Sequence, residues 1–74
     1  MPIDYSKLKG RITEVLGSQR AFAEALGLSE RTVSLKMNGL IDWRQDEMIE
    51  AIRILRLSES DIPDYFFTMK VQSI

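Results

Sequence analysis

Gln19-Arg20-Ala21-Phe22-Ala23-Glu24-Ala25-Leu26-Gly27-Leu28-Ser29-Glu30-Arg31-Thr32-Val33-Ser34-Leu35-Lys36-Met37-Asn38-Gly39 is the stretch that decides the fold. Ser18 and Ser29 stand where a hydroxyl can accept from the first-turn N–H groups of a helix. Gly27 and Gly39 stand where a helix stops in the left-handed region, which a residue without a β-carbon enters freely. Between these signals lie two helices of about two turns, with Phe22, Ala23 and Leu26 inward on the first and Val33 and Met37 inward on the second. Two short helices joined through a glycine and three residues cross as a helix-turn-helix. Ala23 lies at their closest approach, Leu28 plugs the corner, and Val33 packs the second helix back on the first.

The rest of the chain frames this unit. Asp4 caps a first helix in which Tyr5, Leu8, Ile12, Val15 and Leu16 share a face and which Gly17 ends. Leu40 to Arg44 form a connection with Ile41 and Trp43 as core plugs. A fourth helix runs from Gln45 to Arg56 with Met48, Ala51, Ile52 and Leu55 inward. Its cap is poor, because Arg44 stands three residues before Glu47 where Ser or Thr would make a capping box. Ser58 or Ser60 opens a last helical segment, which Pro63 limits before Tyr65-Phe66-Phe67. The reading is an all-α domain of five short helices, one domain over residues 1–74, with the helix-turn-helix unit at 19–39.

Phe67-Thr68-Met69-Lys70-Val71-Gln72 alternates apolar and polar residues, the period of a half-buried strand. No second strand is evident, so the tail at 68–74 has three outcomes: an antiparallel ribbon with a second copy, an extended segment packed on its own core, with the stretch beside Met1 to Asp4 as one place for it, or disorder. The homodimer is the preferred reading, because a second recognition helix would double the DNA site. Ile54, rotated away from the apolar stripe of its helix, would share that interface with Phe67.

Composition excludes much. The 74 residues contain neither cysteine nor histidine. That removes disulfides, thiol nucleophiles, the usual general base and the commonest metal ligands. Asp46, Glu47 and Glu50 are expected to form a solvated face, and Asp42 with Asp46 lacks calcium-loop spacing. The expectation is therefore a non-enzyme with no cofactor, no metal and no small-molecule substrate. No apolar run approaches the length of a membrane span, and the expected location is a reducing cytosol. Net charge is −1 and pI about 5.3. Through Leu40, six Lys and Arg face four Asp and Glu, a net +2; from Ile41 onward, four face seven, a net −3. Such a gradient suits a protein that presents one end to a polyanion.

At about 100° per residue, Arg31 and Leu35 point away from Val33, flanked by Thr32, Ser34 and Asn38. An arginine, two hydroxyls, an amide and a leucine make a workable major-groove face. The Gln19–Gly39 unit, and most of all Ser29 to Gly39, resembles the phage-repressor and Cro type of helix-turn-helix. Among these, the chain is most similar to the short Cro-like proteins of temperate phages and prophages. The resemblance extends loosely to Trp43, the Met48–Leu55 stripe and Tyr65-Phe66-Phe67. It implies a lambda repressor-like DNA-binding fold and a small transcriptional repressor that reads double-stranded operator DNA. It further implies base contacts by Glu30, Arg31, Thr32, Ser34 and Leu35, and backbone contacts by Gln19, Arg20, Lys36 and Asn38. Two departures stand out: Lys36 occupies a position where many relatives are apolar, and the pI is acidic. These keep open a second function, a protein-interaction module that binds another regulator as an antirepressor or antitoxin would.

Overall fold

A computed structural model describes residues 3–70. Five α-helices follow one another: α1 (Ser6–Leu16), α2 (Gln19–Leu26), α3 (Glu30–Met37), α4 (Gln45–Ile54) and α5 (Ile62–Phe66). A 3₁₀ turn at Glu59–Asp61 leads into the last. The helix signals act where the sequence puts them. Ser18 Oγ accepts from Ala21 N at 3.1 Å and Ser29 Oγ from Thr32 N at 3.0 Å. Gly17, Gly27 and Gly39 all have positive φ. At the first helix, Asp4 Oδ1 accepts from Ser6 N at 2.8 Å, one residue ahead of the cap position taken by Tyr5.

The core gathers a few residues from every helix. Leu8 and Ile12 of α1, Phe22 and Ala23 of α2, Val33 of α3, Ala51 and Ile52 of α4, Leu55 just after α4 and Phe66 of α5 enclose Trp43. The Trp43 ring lies 6.0 Å from Phe22 and 5.4 Å, edge-on, from Phe66. Such offset and edge contacts add about 0.5–1.5 kcal/mol each beyond area burial.

Several details differ from expectation. Ile41 is exposed rather than a core plug. Pro63 lies in the first turn of α5, where its missing N–H costs nothing, so it starts that helix and does not limit it. Ile54 packs against the core and is not free for a partner. α4 stops at Ile54, and Arg56 takes the left-handed position after it at φ +58°. Its carbonyl and that of Leu55 accept from the Arg11 guanidinium at 3.3 and 3.0 Å, which ties α1 to the end of α4.

The tail finds its partner within the chain. Ile3 and Met69 form an antiparallel bridge, and Asp4 N donates to Thr68 O at 2.6 Å. Residues 68–70 therefore lie beside the N-terminal segment named in the second outcome, although Met69 stays exposed and is not packed on the core. The remainder of the tail, 71–74, lies outside the described residues.

Candidate functional site

The outward side of α3 with the start of α2 is the surface the sequence singles out. Glu30 and Arg31 are exposed on the first turn of α3, as expected of residues that meet a partner. Thr32, Ser34 and Leu35 are half-buried. The Thr32 hydroxyl accepts from Ser29 Oγ at 2.8 Å, and the Asn38 amide donates to Ser34 O at 2.8 Å. One polar group meant for base edges, the Thr32 hydroxyl, and one meant for the DNA backbone, the Asn38 amide, are thus engaged in local bonds. Gln19, Ser34 and Asn38 line one open cleft of about 560 Å³ with Asp4, Tyr5 and Asp42. Burial, and next the charge of Asp42, raise the Tyr5 hydroxyl above its ordinary pKa, so it is a neutral donor at that cleft.

Lys36 departs most from expectation. A residue assigned to the DNA backbone must reach a phosphate through solvent, but Lys36 is only 4% exposed. Its ammonium meets Glu47 Oε1 at 2.7 Å, donates to Asp42 O at 2.8 Å, and lies 5.6 Å from the Trp43 ring centre. The same Glu47 Oε1 accepts from Arg44 N at 2.8 Å, so half of a capping box forms after all. Glu47 is therefore a buried counter-ion and not part of a solvated acidic face. It is the residue that reading the sequence missed, although Lys36, three after Val33 on the inward stripe, was the available signal.

The consequence is electrostatic. Of the three cations on α2 and α3, Lys36 is neutralised inside, and Arg20 lies 3.6 Å from Glu24 Oε1. Among the described residues Arg31 alone remains unpaired there, beside the anion Glu30. Affinity for DNA comes largely from neutralising several phosphates at once. On α2 and α3 themselves this leaves one free cation, with Lys9 and Lys70 at the adjoining cleft.

The match to known proteins follows the same direction. A family model described as a protein of unknown function, DUF739, matches residues 1–69. The chain belongs to the DUF739 family. No curated protein matches this DUF739 chain. It is similar to a solved structure, the modulator of repression (MOR) of the temperate bacteriophage TP901-1 from Lactococcus lactis. The two are 54% identical over 97% of each chain, with a TM-score of 0.81.

These findings keep the link to phage regulation and correct the function expected from the sequence. The structural counterpart is named for modulating repression, and the reading of the DUF739 chain as a Cro- or repressor-type operator reader does not stand. Operator DNA falls as the partner, and with it the argument that a homodimer would double the DNA site. No helix among the described residues is long and apolar enough to cross a membrane.

Proposed function

We propose that this chain is a modulator of repression that acts by binding a repressor protein, without occupying operator DNA itself. The observation that carries this reading is the 54% identity over 97% of both chains with a phage modulator of repression. A helix-turn-helix scaffold does not by itself dictate DNA binding, since function resides in the surface grafted on it. Here the burial of Lys36 and the pairing of Arg20 supply a physical reason for the change of role. The protein works by association without chemistry, having neither cysteine nor histidine to supply a nucleophile or a base near neutral pH. Its place of action is the cytosol of a bacterial host, where phage transcription is controlled.

The test uses the full-length repressor of the phage or prophage that encodes this chain, with a fluorescent duplex of that repressor's operator. Adding this protein should change the repressor–operator isotherm, and the two proteins should co-elute as a complex. The protein alone should leave the duplex anisotropy flat at micromolar concentration. Specific operator binding by the protein alone, or the lack of any complex with the repressor, would sink the reading.

A further inference from the structure

The connection between α3 and α4 holds large aliphatic side chains in water on a fixed backbone. Leu40 is 70% exposed and Ile41 39%. Gly39, at φ +73°, and Leu40 close a helix-ending turn in which their N–H groups donate to Lys36 O at 3.1 Å and Leu35 O at 2.9 Å. The Lys36 ammonium then holds Asp42 O from beneath at 2.8 Å, and Arg44 N is fixed by Glu47 at 2.8 Å. An anchor whose backbone is ordered before binding avoids much of the entropy cost that weakens flexible contacts.

The charges around this loop leave one group free. From Lys36 to Arg53 there are three cations, Lys36, Arg44 and Arg53, and four anions, Asp42, Asp46, Glu47 and Glu50. Each cation is paired within the chain: Lys36 with Glu47, Arg44 with Asp46, Arg53 with Glu50. Among the described residues Asp42, directly after the two exposed aliphatic residues, is the carboxylate of this stretch held in no ion pair, although Lys9 and Lys70 line the cleft it borders.

We infer that Leu40-Ile41-Asp42 is the anchor by which this protein docks on its repressor. Leu40 and Ile41 enter an apolar groove whose rim carries an Arg or Lys opposite Asp42. The inference rests on the function proposed above and specifies the surface that performs it. Charge complementarity selects the occupant: the loop offers an uncompensated anion, and a repressor carries surface cations to hold DNA phosphates. Lys36 and Glu47 are then positioning residues, since they fix the loop without forming its outer surface.

Calorimetric titration of the full chain against the purified repressor, at about 50 and 200 mM salt, tests this. Leu40→Ala with Ile41→Ala should weaken binding at least about tenfold, as central aliphatic anchors do. Asp42→Asn should weaken it several-fold at the lower salt and flatten the salt dependence. Both variants should keep the wild-type circular dichroism and urea midpoint, because the altered side chains are exposed. Phe67→Ser, at an exposed apolar position close to the chain-end bridge, should stay within about twofold of wild type. Binding by the double alanine variant within about twofold of wild type overturns the inference, as does a larger loss from Phe67→Ser. Failure of the wild-type protein to bind the repressor is a different outcome and removes the proposed function itself.

Discussion

Replacing Lys36 by Met keeps most of the aliphatic stem and removes only the charged head, so it isolates what the buried ammonium does. Three interactions end together: the 2.7 Å pair with Glu47, the 2.8 Å bond to Asp42 O and the contact with the Trp43 ring. The Lys36 and Glu47 side chains are 5% and 14% exposed, so water cannot readily replace the lost partner. Breaking a buried pair from one side costs about 3–5 kcal/mol, chiefly through the charge left behind. A domain of this size has about 4–11 kcal/mol in total at 0.05–0.15 per residue. The variant should therefore lose about 12–24 °C of Tm even at the lower bound, taking 4–8 °C per kcal/mol for a small domain. Urea melts followed by the fluorescence of Trp43, the chain's one tryptophan, measure it at the site concerned. Adding Glu47→Gln removes the stranded charge while leaving an oxygen for Arg44 N, and should recover about 2 kcal/mol, a coupling within the range for residues in contact. Arg31→Met, on the exposed side of the same helix, should change stability by no more than about 0.5 kcal/mol. If Lys36→Met is as mild as Arg31→Met, or the second substitution recovers nothing, the ion pair does not hold α3 to α4 as argued.

Other outcomes follow from the same geometry. Arg56→Gly relieves a left-handed backbone at φ +58° while keeping the carbonyl that Arg11 binds, so thermal melts should show a gain of about 0.5–1 kcal/mol. Ala23→Leu overpacks a fully buried position where α2 meets α3, and its urea midpoint should fall by the equivalent of about 1–3 kcal/mol. Hydrogen bonds from the Ser58 N–H and hydroxyl to Asp61, and from the Ser6 hydroxyl and N–H to Asp4, hold both carboxyls below the usual aspartate range. Because their folded values are lowered, the stability they supply is complete above the ordinary aspartate pKa and is lost as pH falls through the folded values. Asp61→Asn should accordingly shrink the acid-dependent loss seen in melts below about pH 4, and an unaltered acid limb would contradict the assignment.

Much of the fold is legible because its signals are local. A serine before a helix and a glycine after it act over three or four residues, so Ser18, Gly27 and Ser29 could be placed without knowing the rest. The inward stripes of α1 and α4 are likewise set by helical period. What escaped depends on residues distant in sequence. Lys36 taken alone favours solvent until Glu47, eleven positions later, is brought beneath it, and no periodicity reports such a pairing. The bridge from Ile3 to Met69 spans nearly the whole chain and shows in the sequence only as an alternation with no visible mate. Ile41 is apolar like a core residue, and only the turn through Gly39 decides that it faces outward. The site followed the same division. Glu30 and Arg31 were placed correctly as exposed, but the face they share had lost its positive charge to internal pairs, which the acidic pI had already signalled in aggregate.

The bridge between Ile3 and Met69 makes the chain nearly a closed ring. Antiparallel neighbours lie about 5 Å apart, so a short connection between residues 3 and 69 would leave the helices where they are. A ring reopened at the exposed Gly17-Ser18 turn would start at α2 and end with α1, a circular permutant of the kind that surface-turn termini allow. Fusion points could thereby be moved from the Ile3–Met69 clasp to the turn between α1 and α2.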